Sequence, residues 1–213
     1  MFRMPVAKES IPYIIVLTIF MILFYIFLPI LSIIPAFLLV FIIFFFRDPE
    51  RKVIINDKLL LSPADGRIME IKEIDEPRFI KGKAKQVNIF LSIFNVHINR
   101  SPIDGEIKYR DYRAGKFLPA FKSHASEINE KNYVGIENNK VKVLVNQVTG
   151  FIARRIVCWV NQEDTIKQGD RFGLIKFGSC TEIIVPSNVE LKVKPGDKVK
   201  GGKSIIGEVL NND

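Results

Sequence analysis

The sequence predicts a mainly β protein, a β-sandwich or flattened barrel preceded by an N-terminal hydrophobic helical hairpin, and three observations carry that prediction. From Ile11 to Phe46 there are 36 consecutive residues without a charge. After residue 60 the chain turns to short apolar runs broken by Gly, Pro, Asn and Asp, the texture of strands joined by turns. Two turn-like strings in that second part occur twice. A chain of 213 residues holds one cored domain and an added membrane element, so one active site is expected.

The uncharged stretch is too long for a soluble core helix. As a single helix it would run roughly 54 Å at 1.5 Å per residue, against a hydrocarbon layer of about 30 Å. Pro29 and Pro35 disfavour an unbroken helix at its midpoint and predict two arms, near Tyr13–Leu28 and Ala36–Phe46. Arg3 and Lys8 precede the stretch and Arg47, Arg51 and Lys52 follow it, which places both ends at the cytoplasmic face of the cell membrane. The hairpin either spans the bilayer or dips into one leaflet. A cleaved signal peptide is disfavoured by the length of the stretch and by the lack of a small-residue cleavage site before Arg47. The domain boundary is set at residues 52 and 53.

Beyond it, Val87–Phe94, Val141–Val148, Phe151–Val160, Thr181–Val185 and Ser204–Leu210 read as strands, and Lys116–Asn132 as a short helix or ordered loop. Ser62-Pro63-Ala64-Asp65-Gly66-Arg67-Ile68 is echoed by Ser101-Pro102-Ile103-Asp104-Gly105-Glu106-Ile107, and Ile166-Lys167-Gln168-Gly169-Asp170 by Val193-Lys194-Pro195-Gly196-Asp197. Pro-x-Asp-Gly between apolar runs is a turn, because Pro fixes φ and Gly accepts the remaining conformation. The repeated hairpins resemble those of biotinyl and lipoyl domains, and they predict duplication within a sandwich.

The net charge of +8 with 48% hydrophobic residues suits membrane contact. The basic residues are dispersed and no nucleic-acid module accompanies them, so no nucleic-acid partner is expected. Two cysteines, Cys158 and Cys180, make neither a disulfide framework nor a zinc site, and no metal is expected.

Histidines number two, His97 and His124, so a general base near neutral pH has few candidates. His97 follows an apolar strand, where a loop can present it to a cleft. Taken alone, a histidine there is more often a hydrogen-bonded structural residue than a catalytic one. Asp65 could simply close its own turn. Gly178-Ser179 interrupts an otherwise continuous β segment from Arg171 to Glu182, either as a bulge or as a peptide whose serine hydroxyl attacks the preceding carbonyl.

Taken together, Arg47-Asp48-Pro49-Glu50-Arg51, the Ser-Pro-x-Asp-Gly turn, Asn95-Val96-His97-x-Asn99-Arg100-x-Pro102, Ile152-Ala153-Arg154-Arg155-Ile156-Val157 and Arg171-Phe172-Gly173-x-Ile175-x-Phe177-Gly178-Ser179 closely resemble the compact phosphatidylserine decarboxylase proenzymes, over about Phe46 to Pro186. The resemblance implies a carboxy-lyase that cuts itself between Gly178 and Ser179 into residues 1–178 (β chain) and 179–213 (α chain). It implies that Ser179 becomes a pyruvoyl group, with His97 and Asp65 completing a triad in which Asp65 orients the imidazole and His97 takes the serine proton. The substrate implied is an aminophospholipid, phosphatidylserine or its archaeal ether-lipid equivalent, and the cleaved αβ protomers are expected to pair further. Cys180 and His124 depart from the family pattern, which has arginine and lysine there; Cys180 reads as a buried small residue, His124 as a surface or cleft-edge residue. A lipoyl-like adaptor without catalysis, or a membrane serine peptidase keeping Ser179 intact, would use the same features.

Overall fold

In a computed structural model, residues 5–116, 118, 128–150, 155–176 and 179–210 are described. The chain divides into two compact units, Met1–Glu50 and Arg51–Asp213.

The first unit is a helical hairpin. Helix α1 (Ile11–Phe27) is entered through a 3-10 turn at Lys8–Ser10 and left through another at Pro29–Ser32, and α2 (Ile33–Phe45) returns beside it. Pro29 initiates the reversal as expected. Pro35 does not: it lies in the first turn of α2, where the missing N–H would have no partner anyway, so the second arm begins at Ile33 and not Ala36. The hairpin ends are clamped together, Ala7 N–H donating to Phe46 O at 2.8 Å and Asp48 N–H to Pro5 O at 2.7 Å. Lys8–Phe27 is long and apolar enough to cross a membrane, and the second arm is shorter.

The second unit is mainly β. Its strands are β1 (Leu59–Leu61), β2 (Gly66–Glu76), β3 (Gly82–Leu91), β4 (Ile98–Arg100), β5 (Gly105–Arg113), β6 (Lys131–Glu137), β7 (Lys142–Val148), β8 (Arg155–Cys158), β9 (Thr165–Ile166), β10 (Arg171–Lys176), β11 (Ser179–Pro186), β12 (Val189–Leu191), β13 (Lys198–Val199) and β14 (Ile205–Val209). Eight form a curled antiparallel sheet in the order β13-β2-β3-β11-β7-β6-β5-β9, and two three-stranded sheets, β1-β14-β12 and β4-β10-β8, accompany it. Alternate residues of the long strands, among them Val87, Ile89, Val134, Ile136, Val143, Val145, Ile183 and Val185, fill one core with Phe172 and Ile206. Lys131–Glu137, within and beyond the stretch read as helix or loop, is a strand; 117 and 119–127, with His124, lie outside the described residues, as do 151–154 of the Phe151–Val160 run.

The duplication extends well past the two strings that announced it. Strands β1–β3 with β11–β14 match β4–β10 one for one, since every pairing in the first set has its counterpart in the second. The turns agree atom by atom. Ser62 Oγ donates to Ala64 O at 2.7 Å and Ser101 Oγ to Ile103 O at 2.5 Å. Ser62 O accepts from Gly202 N–H and Ser101 O from Gly169 N–H, both at 2.8 Å. Gly202 and Gly169 have φ of +68° and +81°, a conformation that costs glycine nothing. The copies are nested: the second is inserted where the β3–β11 hairpin of the first would turn. Leu91↔Ser179 therefore holds the place that Glu137↔Lys142 holds around the intact 138–141 turn.

Candidate active site

Nesting leaves two connections between the copies, residues 92–97 from β3 to β4 and residues 177–178 from β10 to β11. His97 lies on the first, and Gly178 on the second immediately before Ser179. Hydrogen bonds join three segments far apart in sequence: the one that holds His97, the Asp65 turn and β11.

The first connection opens with a tight turn in which Ser92 N–H and Oγ both donate to Asn95 Oδ1, at 2.9 and 2.8 Å. The Asn95 carbonyl then lies 3.0 Å from His97 Nδ1. A carbonyl oxygen can only accept, so Nδ1 carries the proton in that contact. His97 is 2% exposed, and its own carbonyl accepts from Ile175 N–H at 3.2 Å, which ties it to β10 shortly before the second connection.

Asp65 lies at the start of β2, and the Asp65-Gly66 turn comes up against the end of β3. A Cβ on Gly66 would stand 2.3 Å from Phe90 O, so this approach requires glycine. Phe90 pairs with Cys180, and Leu91 with Ser179, which brings the turn next to the row that begins β11. Asp65 is buried, with Oδ2 accepting from Arg51 at 2.8 Å and Oδ1 from Gly201 N–H at 2.7 Å. Orientation of the imidazole through Nδ1, expected of Asp65, thus falls to the Asn95 carbonyl.

Asn99, fully buried two residues after His97, links all three segments. Its amide nitrogen donates to Thr181 Oγ1 at 2.9 Å and reaches Pro63 O, in the Asp65 turn, at 3.4 Å; its amide oxygen accepts from Gln147 at 2.9 Å. Gln147 Oε1 in turn accepts from Asn132 at 2.8 Å. A satisfied buried network of this kind fixes one arrangement, because losing any member strands another polar group away from water. Arg51, Asn99, Gln147 and Thr181 were not read from the sequence as site residues. Signals existed: Arg51 and Asn99 belong to quoted motifs, and the amide pair Asn146-Gln147 interrupts an apolar strand.

Cys180, between Phe90 and Val148, is buried, and burial with the nearby Glu182 carboxylate pushes its thiol far above the usual range. Glu182 is itself held by Lys131 at 3.1 Å and Asn146 at 2.8 Å.

A duplicated antiparallel β domain whose two inter-copy connections carry a buried histidine and a Gly-Ser bond defines a class of catalytic domain rather than a carrier module. Residues 38–207 match the family model described as phosphatidylserine decarboxylase. Among curated relatives, the phosphatidylserine decarboxylase proenzyme of Carboxydothermus hydrogenoformans is 52% identical over 84% of this chain and 84% of its own. That of Symbiobacterium thermophilum is 50% identical over 82% and 81%, and that of Syntrophus aciditrophicus 40% identical over 95% and 96%. The chain belongs to the phosphatidylserine decarboxylase family, and it is accordingly a carboxy-lyase.

Proposed function

We propose that this chain is a proenzyme that cuts itself between Gly178 and Ser179, converts Ser179 into a pyruvoyl group, and then decarboxylates phosphatidylserine at the membrane surface. The observation that carries the reading is the hydrogen bonding of Asn99, which ties the His97 segment, the Asp65 turn and the strand headed by Ser179 together.

In self-cleavage, His97 Nε2 takes the proton of the Ser179 hydroxyl as that oxygen attacks the Gly178 carbonyl, and the Asn95 carbonyl keeps the proton of the neutral ring on Nδ1. Asp65 contributes a buried charge beside the strand row that begins at Ser179. Arg51 and Gly201 N–H hold its carboxylate in place there. The chain also fits the prosthetic group. Ser179 heads a strand paired on one side with β3 and from Cys180 on the other with β7, so a chain beginning there stays in register after the cut. When formed, the group supplies an electron sink for the electrons left as carbon dioxide departs. Thr181, bonded to Asn99, fixes the strand that bears it.

The helical hairpin is the membrane anchor, with the catalytic unit on the cytoplasmic side where Arg47, Arg51 and Lys52 follow the apolar stretch. The relatives named above carry phosphatidylserine in their names, which favours it over an archaeal ether lipid. The α and β chains are each other's partners, and αβ protomers pair further.

The test is the intact mass of the purified protein beside its Ser179→Ala variant. Chains of residues 1–178 and 179–213 are expected, the smaller lighter by one ammonia than a serine-started fragment, with a single uncut chain in the variant. An uncut wild-type chain labelled at Ser179 by a serine-hydrolase inhibitor would establish the peptidase reading instead.

A further inference from the structure

The duplication reaches upstream of the two Ser-Pro turns. Ile54-Ile55-Asn56 and Ile93-Phe94-Asn95 are set 39 residues apart, the spacing that separates Ser62 from Ser101, so each copy enters its first strand, β1 or β4, through the same kind of lead-in. Three residues past Ile55 and Phe94 the copies differ, with an exposed Lys58 where the second buries His97. What the lead-ins share is an apolar side chain left open to solvent. Ile55 is 82% exposed and Phe94 67%, and these two are the most exposed large hydrophobic residues among the described residues of the β unit; Ile54 is exposed beside the first. Lone apolar residues occur on any protein surface, but two at equivalent positions of a duplicated domain are not scatter.

Each tip is fastened. Asn56 Oδ1 accepts from Lys58 N–H and Asn95 Oδ1 from Ser92 N–H, both at 2.9 Å, and each bond closes a local turn. The first lead-in is also pinned to the domain. Asn56 N–H donates to Gln168 Oε1 at 3.0 Å, and Val53 packs so closely on Gly169 that a Cβ there would stand 2.5 Å from it.

We infer that Ile54, Ile55 and Phe94 are tips that insert into the lipid bilayer, a contact made by the catalytic unit itself in addition to the helical hairpin; the inference rests on the membrane attachment proposed for that hairpin. Chain length selects a bilayer over a protein partner. Ile54 follows Phe46, the end of the uncharged stretch, by eight residues, which reach no more than about 28 Å when extended, so the first tip stays near the surface that the hairpin enters. Arg47 and the exposed Lys52 lie between, and cations beside an apolar tip favour an anionic lipid surface. The second tip lies close to the chemistry. Phe94 stands three residues beyond Leu91, which pairs with Ser179, and three before His97. An aromatic side chain sunk about 5–10 Å into the headgroup region there holds the 92–97 connection against the layer in which lipid headgroups lie.

The test places an environment-sensitive fluorophore on single cysteines in full-length Cys158→Ser protein, where Cys180 is buried and stays unlabelled. The positions are Ile55→Cys and Phe94→Cys, with Ile22→Cys in the hairpin and the exposed Asn139→Cys in the 138–141 turn as references. Each protein is reconstituted into vesicles of phosphatidylcholine and phosphatidylglycerol, with and without lipid spin-labelled along its acyl chain. Emission at positions 55 and 94 is expected to lie to the blue of that at 139, to be quenched by the spin-labelled lipid and to be shielded from iodide, while the label at 139 responds to iodide alone. A label at either tip that iodide quenches and the lipid does not overturns the inference. So does a tip that neither quencher reaches, since protein, such as a second copy of this chain, then covers it. The label at 22 separates the inference from the anchor reading. Lipid quenching at 22 but not at the tips leaves the anchor standing and sinks the tips, whereas quenching at the tips but not at 22 upholds the tips and sinks the anchor. If Phe94→Cys protein does not fold, Phe94→Trp gives the same comparison, read against the emission of Trp159 in the parent protein.

Discussion

Asp65 and Asp104 occupy the same place in the two copies of one turn, yet only Asp65 is buried and ion-paired, while Asp104 is exposed. The turn itself needs no such pair, and the asymmetry agrees with the role proposed for Asp65. Replacing Arg51 by Met would leave the buried carboxylate with one donor, and uncut Ser179→Ala protein carrying that change should lose roughly 1–3 kcal/mol by denaturant midpoint. Asp104→Asn at the equivalent position should change the midpoint by no more than about 0.5 kcal/mol. At this scale the sequence was informative where residues are scarce. Two histidines and one glycine-serine interruption of a strand are conspicuous in 213 residues. Arg51 and Gly201 were not legible as partners of Asp65, because they approach it from 14 and 136 residues away and neither spacing has a local signature.

Among the elements, the helical hairpin and the apolar strands β3, β7, β11 and β14 follow from hydrophobic runs and turn residues. Strands β2 and β5 were missed because their alternation is diluted by charge: Glu70, Lys72 and Glu73 stand on one, Lys108, Arg110 and Asp111 on the other, and both lie near the sheet edges where such residues meet water. The centre of the sheet behaves differently, and Cys180 shows it. Its thiol is held neutral by burial, so native protein binds a proton that unfolded protein releases once the pH passes the ordinary value of 9.0. Stability contributed by that proton is present below pH 9 and falls as the pH rises beyond it. Wild type and Cys180→Val should therefore differ by a constant amount up to about pH 9, with the variant gaining on wild type above it. In the folded protein at pH 8, an alkylating reagent should reach the half-buried Cys158 well before Cys180.

For the whole molecule, the repeated turn strings announced a duplication, while its nesting was hidden. A sequence shows that two segments are alike, but which strands pair across 80 or more intervening residues depends on closing long loops and leaves no periodicity behind. The nesting puts His97 and the start of β11, the proposed active site, at the seam between copies. Cutting the 177–178 connection removes no strand pairing: β11 keeps β3 and β7, β13 keeps β2, and β14 keeps β1. It does change how those strands are held. While the 177–178 link is intact, residues 179–213 face their partners at the high effective concentration of a very short tether. Once it is severed, the same association is governed by mass action. The unfolding midpoint of the cleaved enzyme should then rise more steeply with protein concentration than that of uncut Ser179→Ala protein, as parallel melts over a hundredfold dilution series would reveal. If the proposed cleavage takes place, each protomer passes from one covalent chain to two, and residues 179–213, fixed in the precursor, become a subunit that dilution can remove.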